Sequence, residues 1–421
     1  MGGLFHKDIT PLLLTTLYKG AHMSKIFIKS ISILTILIIS LACGSSKDSS
    51  SNATNPFTNE SVIISTVASD YSSGSFSIIN TSNFGVSSSV KSYDTSDIVI
   101  NTYNQHFYVI GRYQGDFIEK YSISSPTVNV FPNAYKTIDG SETTSNPQEL
   151  IFASEQVAYL TRRNSSKQWI VNPSANVESS FKTGELDLSA YDEGSGSPEI
   201  TTGTIVGNNL FLIAQRLDSN SATTESYLIV IDTTTNTEVN TGKSSTLNGI
   251  PLPAQNPSSI QYLSETGLLY INCVGQYGSS FSGTKRRFNG GVVTVNPSTY
   301  DTALLIDDGD NAEVETTATG THGGLFTNSV VLNSTKGYLV TYAGWQNTAL
   351  KTFNPSTQTV GSVVASLEGK DIRGISIDNK NQLWVSTGTG VTVVNTTDDS
   401  VLKTDLDIGL VPNASAKVVQ Y

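Results

Sequence analysis

The chain has 421 residues, of which 38% are hydrophobic and 14% are charged, and its formal net charge is −11. Residues 1–42 carry four lysines and one aspartate, so the remainder holds 21 basic against 35 acidic residues. A surface this acidic repels phosphate backbones and anionic lipid, and we therefore expect no nucleic-acid partner. Ser, Thr and Asn are abundant and no stretch after residue 45 shows helical apolar spacing, which favours β-structure.

The first 42 residues predict a leader that directs the chain to the cell envelope. From Met23, which we take as the true start, a short basic segment precedes an apolar run, Ser30–Leu41, of signal-peptide rather than transmembrane length. The run ends at Leu41-Ala42-Cys43-Gly44, which resembles the signal of bacterial lipoproteins. The resemblance implies that Cys43 is lipidated and becomes the mature N-terminus. The alternative is an ordinary cleaved signal with a leftover cysteine.

Residues 43–56 predict a flexible tether, because Gly44–Asn55 is rich in Ser, Asn, Asp and Lys and has no apolar anchor. Acyl chains on Cys43 would anchor the protein without any protein contact, since each buried methylene contributes about 0.8 kcal/mol. Gly44 stands where an Asp commonly retains such lipoproteins at the inner membrane. The resemblance therefore implies an outer-membrane lipoprotein, and it leaves open whether the protein faces the periplasm or the cell surface.

Residues 57–421 repeat one short phrase: an apolar strand, then Asn or Asp, then a turn of Pro, Ser or Thr. The polar residue recurs about every 40 to 65 residues, at Asn80, Ser122 (in a degenerate copy), Asn172, Asp232, Asn296, Asn354 and Asn395. That spacing is typical of β-propeller blades, each of which comprises four short strands. The sequence therefore predicts one all-β domain, a seven-bladed β-propeller with four-stranded blades.

Alternation of apolar and polar residues predicts the strands of each unit. The first unit supplies only three, Val62–Val67, Phe76–Asn80 and Val86–Val90, and the chain ends in an unpaired apolar strand, Ala416–Tyr421. We expect this C-terminal strand to close the first blade from the inside, so that no sheet edge is left open.

Two later units give strand predictions that the structure can test closely. In unit three, the fourth strand is predicted at Val177–Phe181. In unit six, the first strand is predicted at either Gly324–Thr327 or Val330–Leu332, since both segments have a strand pattern.

The last unit carries a family resemblance. Leu383-Trp384-Val385-Ser386, Val391–Thr397, Asp405–Gly409 and Pro412 are similar to the YVTN-type β-propeller repeat of bacterial surface proteins. The resemblance extends over about residues 60–421. It implies a binding or surface module, although some relatives of that family are enzymes.

Arginine is confined to one kind of loop. Six of the seven arginines follow the second strand of a unit, and Arg373 lies in the loop that leads into unit seven. These loops share one face of a propeller, and arginine suits the forked recognition of carboxylate or phosphate. We predict a partner-binding surface that contains Arg112, Arg162, Arg163, Arg216, Arg286, Arg287 and Arg373 together with Tyr113, Tyr277 and Trp345. The alternative is that the arginines cap strand ends and pair with nearby carboxylates.

Two segments near the middle of the chain are candidates for further chemistry. Gln276–Gly290 is the longest insertion of its kind, and loops of that length are functional or mobile. An acidic turn offers Asp307, Asp308 and Asp310 as oxygen ligands for Ca²⁺ but lacks the EF-hand spacing. A solvated acidic turn is the favoured interpretation, so we expect neither a metal nor another cofactor.

Catalytic signals are few. The sequence has no HExxH, CxxC, GxSxG or P-loop motif. After the leader it has two histidines, His106 and His322, in different units, and a histidine without a matched partner is not a base–nucleophile pair. Cys273 lies within an apolar strand pattern, which is typical of a buried, inert thiol.

These patterns favour a lipid-anchored, non-enzymatic binding or scaffold module for a protein or glycan of the cell envelope. One alternative is a propeller enzyme of the lactonase or lyase type with a metal in its channel. Another is a structural coat component. The identity of the partner does not follow from the sequence.

Overall fold

The structure, a computed structural model, describes residues 60–279 and 283–420, except for the side chains of Glu60 and residues 414–420. The leader, Cys43 and the tether lie outside the described residues. Within the described part, thirty β-strands form seven antiparallel sheets, which confirms the all-β, seven-bladed prediction. None of its helices has the length and apolar character needed to cross a bilayer.

Blade 1 contains β1 (Glu60–Val67), β2 (Gly74–Asn80) and β3 (Val86–Tyr93). Blade 2 contains β4 (Ile98–Tyr103), β5 (His106–Gly111), β6 (Phe117–Ser122) and β7 (Ser125–Asn129), with the short β8 (Tyr135–Lys136) paired to β6. Blade 3 contains β9 (Pro147–Phe152), β10 (Ala158–Arg162), β11 (Lys167–Val171) and β12 (Lys182–Asp187). Blade 4 contains β13 (Ile200–Val206), β14 (Asn209–Ala214), β15 (Tyr227–Asp232) and β16 (Thr237–Glu238), with β17 (Ile250–Pro251) paired to β15.

Blade 5 contains β18 (Pro257–Leu263), β19 (Leu268–Cys273), β20 (Gly291–Val295) and β21 (Thr302–Asp307). Blade 6 contains β22 (Leu325–Asn333), β23 (Lys336–Gly344), β24 (Asn347–Asn354) and β25 (Thr359–Val363). Blade 7 contains β26 (Ile372–Ile377), β27 (Gln382–Thr387), β28 (Gly390–Asn395) and β29 (Val401–Leu406). Short 3-10 helices lie outside the sheets at Glu178–Ser180, Ser189–Tyr191 and Ala365–Leu367.

The C-terminal strand, β30 (Val411–Gln420), completes blade 1. It pairs antiparallel with β1, with Val418 opposite Val62 and Val411 opposite Val67. It also contacts β26 of blade 7 and β4 of blade 2, which places it in the innermost position of its sheet. The predicted closure is confirmed, and the strand begins at Val411 rather than at Ala416.

The hydrophobic core lies between blades rather than within them. One buried apolar cluster fills each of the seven interfaces between neighbouring sheets, including the interface between blades 7 and 1, where Trp384 and Val393 meet Val62 and Ile79. The middle strands are covered on both faces, which explains continuous apolar runs such as Leu210–Ala214. Each blade therefore depends on its neighbours for stability.

The repeated polar residue of the sequence caps the turn after the third strand of each blade. The side-chain oxygen of Asn354 accepts the backbone N–H of Ser356 at 2.9 Å and that of Thr357 at 3.1 Å. In the other six blades the corresponding side chain also accepts a hydrogen bond from the backbone N–H two residues further along the chain. These side chains are Asn80, Ser122, Asn172, Asp232, Asn296 and Asn395. A side-chain acceptor at this place mimics a backbone turn. This local hydrogen bond explains why Asn, Asp or Ser recurs after the third strand of each repeat in the sequence.

Two strand predictions were wrong in detail. Val177–Phe181 is not a strand, because a 3-10 helix at Glu178–Ser180 turns Phe181 into the core between blades 2 and 3, and the fourth strand of blade 3 follows as β12. The two alternatives for blade 6 are parts of a single strand, β22. A register shift between Phe326 and Asn328 interrupts the alternation there, which split one strand into two in the sequence pattern.

Candidate functional site

The loops after the second strands and the loops that lead into each blade lie at the same end of the blades. The antiparallel register requires this: Ile98 at the start of β4 lies opposite Gly111 at the end of β5, and Ile372 lies opposite Thr387 in blade 7. All seven arginines are at this end, six at or after the end of a second strand and Arg373 near the start of β26. We refer to this end as the arginine face.

Arg162 is fully buried beneath the arginine face. Its guanidinium donates to the carbonyl oxygens of Thr137 at 3.0 Å and Lys167 at 2.8 Å and is paired with Glu142. It also lies 4.4 Å from the centre of the Trp169 ring. The planar fork of donors thereby fastens the loop that leads into blade 3 onto the end of that blade.

Blade 4 repeats this arrangement around Arg216, whose side chain is 7% exposed. The guanidinium donates to the carbonyl oxygens of Tyr191 at 3.0 Å and Glu225 at 2.6 Å, is paired with Glu193, and lies 4.7 Å from the Tyr227 ring. In both blades an arginine at or just after the end of the second strand reaches the preceding loop and an aromatic residue of the third strand. Because the arrangement recurs in two blades, we assign Arg162 and Arg216 a structural role, which is to hold the preceding loop against the end of the blade.

Arg286 is buried at the boundary between blades 5 and 6. It donates to the carbonyl oxygens of Ala318 at 2.6 Å and Ala343 at 3.1 Å and lies 5.9 Å from the Tyr342 ring. Tyr277 meets the same ring edge-on, with 5.8 Å between centroids, and burial raises the pKa of the Tyr277 hydroxyl. The guanidinium of Arg286 is thus enclosed by the protein's own groups.

The other four arginines are at least partly exposed. Three of them bridge neighbouring blades: Arg112 to the Gln148 side chain at 3.0 Å, Arg163 to the Gln215 side chain at 3.4 Å, and Arg373 to the Pro412 carbonyl at 3.0 Å. Arg287 differs, because it forms a surface ion pair with Glu313 at 2.6 Å and its side chain is 39% exposed. The arginine face therefore combines buried arginines that fasten loops, arginines that bridge blades, and Arg287 in an exposed ion pair.

The aromatic candidates also differ in exposure. Trp345 is 43% exposed at the tip of the hairpin between β23 and β24, whereas Tyr113 and Tyr277 are half-buried. An exposed tryptophan is the kind of side chain that dominates binding energy when a partner covers it. Trp345 is therefore the aromatic candidate that is best placed to contact a partner.

Two long loops form a raised lobe on the arginine face. Residues 274–290 link β19 to β20, and residues 308–324 link β21 to β22. An antiparallel backbone bridge joins the loops, and beneath them Val274, Phe288 and Leu325 form an apolar cluster of their own. The described parts of the lobe thus have a small core in addition to the cores between blades.

A polar cleft of about 380 Å³ opens between the lobe and a loop of blade 4. In its lining, the side-chain amide of Asn289 donates to Gln255 and, at 3.1 Å, to the Thr223 hydroxyl. The side-chain oxygen of Asn289 accepts the backbone N–H of Gln276 at 2.9 Å. Sequence reasoning missed this cleft because its amides come from separate loops with no diagnostic spacing, although the length of Gln276–Gly290 pointed to the region.

The acidic turn after β21 does not converge on one point. Asp307 and Asp310 are exposed, and each accepts the backbone N–H two residues further on at 3.1 Å. Asp308 is fully buried; its Oδ1 accepts the N–H of Gly290 at 3.1 Å, and its Oδ2 has no hydrogen-bond partner among the described residues. Within residues 60–279 and 283–420, no three His, Cys, Asp or Glu side chains are grouped to hold a metal ion.

Asp308 is expected to make stability depend on pH, because burial raises its pKa from 3.8 to about 8. The folded state keeps a proton that the unfolded state releases, so the free energy of unfolding falls as the pH rises between these values, by up to about 1.4 kcal/mol per pH unit. Asp308→Asn, which resembles the protonated acid, is expected to flatten this slope and to raise the melting temperature at alkaline pH. Thermal melts across the range check this, with the exposed Asp307→Asn as control, and an unaltered slope in Asp308→Asn would contradict it.

The remaining chemical candidates lie apart from the cleft. His106 begins β5 and His322 precedes β22, and burial lowers the pKa of both imidazoles. Neither imidazole makes a hydrogen bond within the described residues. Cys273 is fully buried and burial raises the pKa of its thiol, as expected for an inert core cysteine.

Seven sheets, each built on four antiparallel strands, with cores between neighbours and a closing C-terminal strand, define the class of this protein: a seven-bladed β-propeller.

No protein-family model and no curated protein sequence matches the chain. A 6-phosphogluconolactonase-like protein from Bacteroides fragilis NCTC 9343 is similar in structure, with a TM-score of 0.55 and 11% identity over 87% of this chain and 99% of that chain. AztD from Citrobacter koseri has a TM-score of 0.45 and 9% identity over 86% and 100% of the respective chains. At 11% identity, the likeness to the Bacteroides protein shows the fold alone.

Proposed function

We propose that this chain is a lipid-anchored, non-enzymatic β-propeller that binds a protein or glycan of the cell envelope through its arginine face. The proposed anchor is Cys43 at the end of the leader, and residues 44–56 would separate the propeller from the outer membrane. The YVTN-type pattern in blade 7 supports a surface or binding role. The acidic net charge disfavours nucleic acid as a partner.

The observation that carries the proposal is that the lobe, the cleft and Trp345 share one face. Binding residues are commonly found on loops held by a rigid scaffold, and here the sheets supply the scaffold. The opposite end of the blades includes short turns such as the capped turn at Asn354. An extended partner would therefore find most of its contacts on the arginine face.

The chemistry of this face fits binding better than catalysis. The cleft offers amides, hydroxyls and ion-paired charges, and none of these forms a nucleophile–base pair. The alternative, a lactonase or lyase with a channel metal, needs several ligands that converge on one point. No observation on the described residues favours that alternative over binding.

Affinity capture from envelope extracts with the full-length, membrane-anchored protein tests the proposal. We expect Trp345→Ala and Arg287→Ala each to reduce recovery of the partner by about tenfold or more, because exposed Trp and Arg commonly carry most of an interface's binding energy. Gln156→Ala lies in an exposed turn at the other end of blade 3 and is expected to capture normally. Equal capture by all variants would exclude the arginine face, and a stoichiometric metal in the purified protein would favour the enzyme.

A further inference from the structure

We propose that the cleft between the lobe and blade 4 is a binding site for a short, uncharged saccharide. The inference rests on the proposed function and deepens it, because it names the chemical class of ligand for one site on the arginine face. Three properties of the cleft carry it: the pairing of its charges, the hydrogen-bonding groups that its amides present, and the scarcity of apolar side chains among the described residues that line it.

The charged groups at the cleft are already paired. Arg287 lies 2.6 Å from Glu313, and Lys285 lies 2.5 Å from Glu315. An anionic ligand would have to displace a carboxylate from its partner, and a cationic ligand would have to displace Arg287 or Lys285. An uncharged ligand leaves both exposed pairs intact, so the electrostatics of the cleft favour a neutral molecule by the modest free energy that such pairs contribute.

The side-chain amides of Gln255 and Gln276 are held in fixed orientations by hydrogen bonds. Gln255 uses its side-chain oxygen to accept from Asn289, which leaves its Nε2 donor without a partner within the described residues. Gln276 is held on both sides, because its Nε2 donates to the Lys285 carbonyl at 2.6 Å and its Oε1 accepts from Thr223 at 3.3 Å. Fixed donors lose little further freedom when a ligand binds, which favours affinity for small polar molecules.

Hydroxyl groups complement this lining. Asn311 is exposed at the cleft, and its side-chain amide makes no hydrogen bond to the described residues, so both its donor and its acceptor are available together with the Gln255 donor. A saccharide hydroxyl donates and accepts at once and can satisfy groups of both kinds. An aliphatic ligand would leave these polar groups desolvated and unpaired, which costs free energy.

A peptide fits the cleft less well. Ala222 is the single apolar side chain among the described residues that line it. Peptides that bind in grooves use pockets for their side chains. The volume of about 380 Å³ lies within the usual range for small ligands. Size and polarity together favour a short saccharide.

Titration of the full-length protein in detergent against a defined panel tests the inference. The panel comprises maltotriose, N-acetylchitotriose, trigalacturonate and a Gly/Ser tetrapeptide. We expect saturable binding of maltotriose or N-acetylchitotriose, the two neutral trisaccharides. Trigalacturonate and the tetrapeptide are expected to bind more weakly. Gln255→Ala and Asn311→Ala are each expected to weaken that binding about five- to tenfold, the effect of losing a hydrogen bond. Ala222→Trp fills the cleft and is expected to abolish binding, whereas Gln156→Ala, at the opposite end of the blades, is expected to bind normally.

Melting temperatures of all variants show whether a loss of binding comes from unfolding, and the exposed Asn311 is the position whose replacement least affects the fold. Preference for trigalacturonate or the tetrapeptide, neutral-saccharide binding that survives Ala222→Trp, or no saccharide binding at all would each overturn the inference.

The proposed function is judged separately. Capture of an envelope partner that is lost with Trp345→Ala would uphold it even if the cleft binds no saccharide.

Discussion

Deletion of residues 411–421 is expected to lower the melting temperature by more than about 10 °C. The deletion removes β30, the innermost strand of blade 1, and leaves the inner edge of β1 unpaired beside the fully buried Val62, Ile63 and Ile64. Loss of the strand pairing lets water reach these side chains, each of which is worth up to about 1.5–3 kcal/mol when fully buried, against a typical domain stability of about 5–15 kcal/mol. Circular dichroism melts of the truncated and parent proteins measure the effect.

A circular permutant provides the matched control. Gln420 lies opposite Glu60, so an Asn-Gly turn can join the two residues, and new termini can be placed at Leu410 and Val411. This permutant keeps β30 while breaking the chain next to it, and it is expected to melt within a few degrees of the parent. Closure by β30 would be contradicted by a truncated protein that melts like the parent.

Replacement of Arg162 by alanine is expected to cost about 3–5 kcal/mol of unfolding free energy, because it leaves Glu142 without its buried partner and two carbonyls without their donor. Arg287→Ala is expected to cost less than about 0.5 kcal/mol, since its pair with Glu313 is exposed to solvent. Urea denaturation of the two variants measures the contrast between a buried fastener and an accessible arginine.

Arg162→Lys sharpens this test. A lysine keeps the positive charge but is a point donor that cannot reach Thr137 and Lys167 together while lying against Trp169. It is therefore expected to recover only a small part of the lost stability. Equal costs for Arg162→Ala and Arg287→Ala, or full rescue by lysine, would show that burial and geometry do not distinguish these arginines.

The number of blades could be predicted from the sequence because its signal is local. Asn354 accepts hydrogen bonds from residues only two and three positions further along the chain, so the pattern that marks a blade lies within a few residues. The closing strand could be predicted as well, since Val62–Val67 began a unit with one strand too few. The register shift in β22 could not be recognised from the sequence, because the interrupted alternation there fits two short strands as well as one irregular strand.

The positions of the arginines could be predicted, but their environments could not. Placement at the ends of second strands follows from the strand pattern alone. Burial of Arg162 depends on the preceding loop, which brings Glu142 over it, and burial of Arg286 depends on Ala318 and Ala343 of later segments. These contacts are distant in sequence, and so are those between the amides of the cleft. The prediction of a common face was accurate in position, while a partner-binding role for the exposed residues stays a prediction.

The central claim is that the first and last described strands, β1 and β30, pair to close a ring of seven blades, because the arginine face exists only in that ring. Ser61 of β1 lies opposite Val419 of β30, so cysteines at these positions are placed to form a disulfide. In a Cys43→Ser background, Ser61→Cys with Val419→Cys is predicted to give an intramolecular bond, detected by mass spectrometry of peptides from the oxidised protein. Ser61→Cys with Val418→Cys, one register position away, is predicted to remain reduced. Absence of the 61–419 bond, or equal cross-linking of the control pair, would contradict the ring.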